Sequence, residues 1–163
     1  MTVIEGADMI LPIRRGSRPR TTPSNPHIQL DQQPIDDKPR QHLLDLLVEL
    51  PVIWRPSMIS VPGAVALTLE SDMTLGPQTA FMIGTEFAHL HPLPDYSLHL
   101  ILPSELAGSA IQAGWAEQHP IARLGYISSG AVMVYAPREE DEVIVVAGLV
   151  RTSYRYASGV ERS

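Results

Sequence analysis

The stretch "EFAHLHPLPDYSLHLILP", residues 86–103, decides the fold, because it predicts two neighbouring strands joined by a proline-rich break. In its second half the leucines occupy every second position, so one face of that strand is apolar and His99 lies on the other. In its first half, His89 and His91 stand two residues apart and share a face if the segment is extended. The pattern therefore predicts two strands that carry imidazoles on one side.

Patterns upstream of this stretch predict one helix and further strands. In residues 36–51, "DDKPRQHLLDLLVELP", leucines recur on one helical face after an acidic cap candidate and an early proline. We expect that helix to end before Pro51. The apolar runs "SMISV" at 57–61 and "AVALTLE" at 64–70 predict two strands separated by a Pro-Gly turn, and residues 79–91 predict a third.

Downstream patterns predict two helices with a strand between them. Residues 104–118, "SELAGSAIQAGWAEQ", have helical spacing and should end near Gln118, which places His119 at the helix exit before a proline. Residues 131–137, "AVMVYAP", predict a strand. Residues 138–158 begin with acidic side chains and carry arginines late, which matches the helix dipole and predicts a C-terminal helix.

This order of elements predicts an α+β fold, because no βαβ alternation suggests a parallel, doubly wound sheet. We expect a single domain in which about three helices pack an antiparallel sheet. Residues 1–35 are rich in Pro, Arg, Thr and Gln and show no sustained periodicity. They predict an extended N-terminal arm, which leaves residues 36–163 as the α+β domain.

Composition excludes several classes of function. The 163 residues contain no cysteine, so disulfides, thiolate nucleophiles and iron–sulfur clusters are excluded. A net charge of −6 argues against nucleic acid as a partner. No apolar run is long enough to cross a bilayer, so we expect no membrane partner and a cytoplasmic location. The sequence contains no P-loop, no G-x-S-x-G elbow and no H-E-x-x-H motif.

Four of the six histidines, together with nearby carboxylates, form the candidate site. Two imidazoles on one strand and a third from its neighbour can bind a divalent metal, for which the set is His89, His91 and His99. Without a metal, a carboxylate can orient an imidazole that transfers a proton. Each residue taken singly also fits an ordinary structural role. We expect catalytic roles for His89, His91, Asp95, His99, His119 and Glu86.

Four further side chains are candidates for binding a substrate. Arg138, in the turn "YAPRE", has the charge to orient a carboxylate or enolate, and Tyr135 precedes it. Trp115 has a structural alternative, which is to seat a helix against the sheet. Arg18 belongs to the basic cluster in "RRGSRPR", which is either a solvated arm or an arm that closes over an anionic ligand.

The motifs "EFAHLHPLPDYSLHL", "GWAEQHP" and "MVYAPRE", in this order and spacing, resemble the luciferase-like domain family. The resemblance covers residues 86–157 and extends more weakly into the arm, so we expect residues 14–30 to pack near the histidines. It implies an oxygenase-like ancestor, because fungal members add O₂ to a hydroxylated pyrone without a cofactor. The chain departs from the fungal pattern at Pro92, Pro94, Ala116 and Glu117. The matching residues are Glu86, Ala88, His89, His91, Asp95, Leu98, His99, Gly114, Trp115, His119, Pro120, Tyr135, Ala136, Pro137 and Arg138.

The expected function is a small-molecule enzyme of oxygenase type acting on an enolisable, hydroxylated aromatic or pyrone-like substrate. In it, a histidine oriented by Asp95 or Glu86 removes an acidic proton before the substrate reacts with O₂. We expect no cofactor, with a divalent metal at the three strand histidines as the alternative. Two other functions stay open: a noncatalytic module that binds a small ligand, and a hydrolase that depends on a histidine-bound metal.

Overall fold

A six-stranded antiparallel sheet organises the part of the chain that the structure describes, residue 6 and residues 9–160 of a computed structural model. The order of the strands in the sheet is β1-β2-β3-β4-β6-β5, so β3 and β4 lie at its centre. The predicted α+β fold with an antiparallel sheet is confirmed. The strands are β1 (Ile53–Pro56), β2 (Val65–Thr68), β3 (Glu86–Leu90), β4 (Leu98–Ile101), β5 (Ala116–Gln118) and β6 (Ala131–Val134).

The longest helix covers the apolar face of this sheet. The helices are α1 (Lys38–Leu47), α2 (Ser104–Gln112), α3 (Pro120–Arg123) and α4 (Glu140–Ser158). Helix α4 packs on β3 and β4, and α1 packs on α4. Acidic residues in the first turn of α4 and Gly159, which ends the helix with a φ of 87°, fit the helix dipole and a left-handed C-terminal cap. The predicted helix at 138–158 is therefore confirmed.

The strand predicted at residues 57–61 is wrong, and the strand predicted at residues 79–91 begins later than expected. Residues 57–61 form no strand; they belong to the connection between β1 and β2, which the Ser57 amide closes by donating to the carbonyl of Ala64. Met58 is 80% accessible and Ile59 46%, so the apolar residues of this run do not mark a buried strand. Within residues 79–91, a 3₁₀ turn at Gln78–Ala80 and Gly84 with a φ of 53° precede β3.

The predicted helix at 104–118 is also wrong in its second half. Helix α2 ends at Gln112, and Gly114 turns the chain with a φ of 90°. The following residues, Ala116–Gln118, then pair with β6 as an edge strand. His119 consequently lies between a strand and the one-turn helix α3, and not at the exit of α2.

The N-terminal segment from residue 9 to residue 35 contains no helix or strand and lies against the domain. The Arg14 amide donates to the carbonyl of Ala113, and the Gln29 amide donates to Oδ1 of Asp95. Residues 14–30 were expected to pack near the histidines, and the contact of Gln29 with Asp95 agrees with that expectation. Among the described residues, none of the helices has the length and apolar character that crossing a bilayer requires.

Candidate functional site

The central strands bring the predicted histidines together on the sheet face opposite α4. His89 and His99 are direct partners across β3 and β4, and their ring centroids lie 5.1 Å apart. The ring of His91 lies 4.6 Å from that of His99, and the ring of His119 lies 4.6 Å from His99 on another side. His89, His91 and His99 are at most 3% exposed. The predicted convergence of the four imidazoles is thus confirmed.

A β-bulge brings Glu86 to the same face as His89. The register of β2 with β3 shifts between Leu67 and Thr68, so the alternation of β3 slips by one residue after Glu86. Phe87 therefore turns towards α4, where its ring meets that of Tyr154 at 6.2 Å. Oε2 of Glu86 lies 2.8 Å from Nδ1 of His89 and accepts a hydrogen bond from it. In a regular strand, residues three apart would lie on opposite faces.

The connection between β1 and β2 holds the Glu86 carboxylate in place. The Ser57 hydroxyl donates to Oε2 of Glu86 at 2.9 Å, and the Met58 amide donates to Oε1 at 3.3 Å. Burial lowers the pKa of His89, and the hydrogen bond to Glu86 opposes that shift. This pair is a buried carboxylate–imidazole unit whose second ring nitrogen, Nε2, lies 3.0 Å from Nδ1 of His99.

Asp95 orients His91 in the same way from the turn between β3 and β4. Its Oδ2 lies 2.5 Å from Nδ1 of His91, while Oδ1 accepts hydrogen bonds from the Ser97 hydroxyl and from the Gln29 amide. Burial acts to raise the pKa of Asp95, but these bonds outweigh it, and the pKa lies below its usual value. No hydrogen bond joins Nε2 of His91 to any of the described residues.

A fifth histidine, His27, reaches the site from the N-terminal arm and was not among the predicted site residues. Its Nδ1 lies 3.0 Å from Nε2 of His99, and its Nε2 lies 2.8 Å from Oε2 of Glu117. Glu117, on β5, also accepts hydrogen bonds from the hydroxyls of Thr21 and Tyr135. The resemblance in the arm was the only signal for His27, because 72 positions separate it from His99.

His119 differs from the other imidazoles because it caps a helix. Its Nδ1 accepts a hydrogen bond from the Ile121 amide at 3.1 Å. The neutral ring therefore carries its proton on Nε2. Burial, with the neighbouring histidines, lowers the pKa of His119 to about 4. The pKa of His99 is also held well below its usual value by burial and by the surrounding histidines.

The five imidazoles border one cavity of about 470 Å³. Its other walls are mostly apolar, and two residues of the arm, Asn25 and Pro26, close one side. The histidines form a compact polar patch, which we call the histidine floor (His27, His89, His91, His99 and His119). The apolar lining comes from Ile59, Val61, Met82, Ile121 and Ile127.

None of the four predicted substrate-binding residues lines this cavity. Trp115 donates its indole N–H to the carbonyl of Pro12 and borders a separate cavity of about 350 Å³. Arg138 forms an ion pair with the buried carboxylate of Glu142 at 2.5 Å. Tyr135 donates to Oε1 of Glu117 and accepts from Arg18, so these two side chains lie behind the histidine floor. Their roles in substrate binding stay predictions.

Comparison with known proteins agrees with the resemblance. A family model described as "Luciferase domain" matches residues 84–153. The luciferase of Armillaria mellea is 36% identical over 73 residues, which are 44% of this chain and 27% of that protein. The luciferase of Neonothopanus nambi has the same identity, 36% over 73 residues, again 44% of this chain and 27% of the relative.

The chain therefore spans just over a quarter of the length of these relatives, and no solved structure matches it significantly. The matched segment contains β3, β4, β5, β6 and most of α4, and it includes Glu86, Asp95 and four of the five histidines of the floor. His27 lies outside it. The matching motifs, the family model and the two relatives thus agree that residues 84–153 are similar to a luciferase domain.

Proposed function

We propose that this chain is a small-molecule enzyme of oxygenase type, acting on an enolisable, hydroxylated aromatic or pyrone-like substrate at the histidine floor. The observation that carries the proposal is the convergence of five imidazoles on one cavity within a luciferase-like domain, three of them hydrogen-bonded to carboxylates. Perturbed, buried titratable groups gathered in a cavity are typical of functional sites.

The shape of the cavity supports a small and largely apolar substrate. A volume of about 470 Å³ lies within the range of small-molecule sites. The side chains of Ile59, Val61 and Met82 in the walls can pack against a flat ring system, while the hydrogen-bonding groups are concentrated on the histidine floor. A substrate with an apolar body and one hydroxyl-bearing edge fits this division, because its polar edge then faces the imidazoles.

The floor supplies the two functions that reaction with O₂ needs. An enol or phenol gives up electrons to O₂ more readily as its anion, and a carbon–oxygen bond then forms at the electron-rich carbon. We assign ionisation of the hydroxyl group to the carboxylate-backed part of the floor around His91. We assign stabilisation of the oxyanion to His119, since its neutral ring carries an N–H on Nε2 and borders the cavity.

Oxygen uptake by the purified chain tests this function. A panel of hydroxypyrones and hydroxylated aromatics should include a substrate that consumes O₂ only when the protein is present. His91→Gln should then lower kcat/KM by about 10²–10⁴-fold. His119→Gln should lower it by about 10²–10³-fold, because an oxyanion donor is lost. Glu105→Gln, on the exposed side of α2, is the control and should leave the rate unchanged.

Two outcomes contradict the proposal. Tight binding of panel compounds without any O₂ uptake would identify a noncatalytic ligand-binding module. Uptake that persists in both histidine variants would place the reaction outside the histidine floor.

A further inference from the structure

Three ring nitrogens in the histidine floor face one another without a proton between them. The first two belong to His89 and His91, whose Nδ1 atoms lie 2.8 Å from Glu86 and 2.5 Å from Asp95. An ionised carboxylate only accepts hydrogen bonds, so each Nδ1 carries the ring proton. Both Nε2 atoms of the neutral rings therefore present lone pairs to the interior of the floor.

The third nitrogen belongs to His99, and its state follows from His27 behind it. Nε2 of His27 donates to Glu117, so Nδ1 of His27 accepts and Nε2 of His99 must donate to it. Nδ1 of His99 then carries a lone pair and no proton. It lies 3.0 Å from Nε2 of His89, and two lone pairs at that distance repel unless a cation lies between them.

The arrangement of these nitrogens fits a metal ion. The ligating nitrogens of His89, His91 and His99 lie within 4.8 Å of one another. Metal–nitrogen bonds of about 2.0–2.1 Å place the ligands of one ion about 2.9–3.4 Å apart, and the closest pair already has that spacing. Each ring donates its other N–H to a carboxylate, directly or through His27, as metal-binding histidines generally do.

We propose that the chain binds one divalent first-row transition-metal ion through Nε2 of His89, Nε2 of His91 and Nδ1 of His99. Three neutral imidazoles suit iron, cobalt, copper or zinc, and the side of the ion towards the cavity stays open to a ligand. Glu86, Asp95 and His27 are positioning residues, since each fixes the tautomer of a ligand ring. The sequence favoured a cofactor-free site, with this metal set as the alternative; the hydrogen-bond pattern favours the alternative.

A second group of histidines has the spacing that a metal site requires, but one of its rings has the wrong tautomer to bind a metal. The ligating nitrogens of His27, His99 and His119 also lie within 4.8 Å of one another. Nδ1 of His119, however, accepts the Ile121 amide hydrogen bond, so its Nε2 carries a proton and has no lone pair to offer. His119 is therefore a matched control: it borders the same cavity, and its loss should not weaken metal binding.

The metal site stands on this hydrogen-bond geometry and not on the reaction proposed above. If both are correct, the ion would lower the pKa of a hydroxyl group bound at its open position, which is the ionisation assigned to the floor. Metal binding is measured without turnover, so the two proposals fail separately. His119→Gln separates them further, because it should lose oxygenase activity and keep the metal.

The test is a Co²⁺ titration of the full chain without a histidine tag, after dialysis against EDTA and removal of the chelator. We expect calorimetry to show one Co²⁺ per chain, d–d absorption bands in the visible spectrum, and displacement of Co²⁺ by Zn²⁺. His91→Gln and His99→Gln should weaken binding by more than about 100-fold, beyond the effect typical of positioning residues. Asp95→Asn should weaken it by about 10–100-fold, and His119→Gln by less than about threefold, since it supplies no ligand.

Circular dichroism of each variant shows whether it folds. If a ligand variant does not fold, the Co²⁺ stoichiometry of the wild type and of His119→Gln decides whether the metal site exists. The proposal is overturned if the wild-type chain binds no stoichiometric Co²⁺, which would leave a shared proton between His89 and His99. It is also overturned if His119→Gln abolishes binding, or if folded His91→Gln binds Co²⁺ as tightly as the wild type.

Discussion

At the scale of single residues, the structure gives Arg138 a structural partner that the sequence did not indicate. Its guanidinium donates to both carboxylate oxygens of Glu142, one turn along α4, and to the carbonyl of Arg15 in the arm. The side chain of Glu142 is only 2% exposed, whereas that of Arg138 is 26% exposed. The pair therefore neutralises a buried charge where the arm meets the start of α4.

This pair predicts a loss of stability in acid. Burial acts to raise the pKa of Glu142, but the hydrogen bonds and charge of Arg138, with Arg14 nearby, bring it below the ordinary value of 4.5. A carboxyl whose folded-state pKa is depressed stabilises the fold above its unfolded pKa and loses that contribution as the pH falls. Urea unfolding between about pH 6 and pH 3 should show a steeper loss of free energy for the wild type than for Glu142→Gln.

The same pair has a consequence at neutral pH. Arg138→Ala should lower the free energy of unfolding by about 3 kcal/mol. This value is at the lower end of the cost of breaking a buried ion pair, because Arg138 is partly exposed. Equal pH profiles for the wild type and Glu142→Gln, together with an unchanged stability of Arg138→Ala, would show that the pair contributes nothing.

At the scale of elements, glycines determine where helix α2 ends and where the strands that follow it begin. Gly114 ends α2 with a left-handed backbone, so residues that continue the helical spacing form β5 and pair with β6. Gly130 begins the return into β6, and its carbonyl accepts a hydrogen bond from the Leu102 amide at 3.0 Å. The edge strand β5 carries Glu117, so the local geometry of these turns positions a member of the site.

Gly130 should tolerate no side chain. A Cβ at this position would lie 2.0 Å from the carbonyl oxygen of Leu102, and a backbone atom cannot move aside as a flexible side chain does. Gly130→Ala should therefore lower the free energy of unfolding by about 1–3 kcal/mol. Gly108→Ala, in the middle of α2, is the matched control, because its Cβ would meet nothing within 4 Å. This variant should raise the free energy of unfolding by about 0.5–1 kcal/mol. Thermal or urea unfolding that ranks the two variants the other way would refute this.

At the scale of the whole molecule, the arm is part of the site. It supplies His27 to the histidine floor and two residues to the wall of the cavity. Arg18 fixes it by donating to the carbonyls of Ala116 and Ile111, and Gln29 connects it to the turn that holds Asp95. The positions of the strand histidines and the position of the arm are thus linked through shared hydrogen bonds.

The side chain of Gln29 joins the arm to the segment that follows β6, and this contact can be tested by mutation. Its Oε1 accepts the hydrogen bond of the Ala136 amide at 2.8 Å, and the residue is 2% exposed. Gln29→Leu keeps the size but leaves that buried amide unpaired, which should lower the free energy of unfolding by about 1–3 kcal/mol. Hydrogen exchange should become faster in residues 20–31 while the amides of α4 stay protected.

Gln112→Leu, the same change at the exposed end of α2, is the control and should alter neither quantity. Unchanged exchange of the arm in Gln29→Leu would mean that the arm is held independently of this contact.

The sequence by itself determined the central strands, the C-terminal helix and the sharing of one face by the histidines of β3 and β4. These features follow from alternation and helical spacing, which are local properties of the chain. It therefore predicted the α+β sheet and four imidazoles of the site. Where local patterns were ambiguous, as in residues 57–61 and in the helical spacing that continues into β5, the burial and pairing of the segment decided its structure.

Only the tertiary structure decided how the imidazoles are connected. The bulge that brings Glu86 to His89 depends on the register of β2 with β3, which no spacing within one strand reveals. His27 reaches His99 from 72 positions away because the arm folds back along the sheet. The tautomer of each ring follows from its hydrogen-bond partner, and those partners come from different elements. The physical reason is that periodicity fixes the face of a side chain, whereas register and long-range packing fix what it meets there.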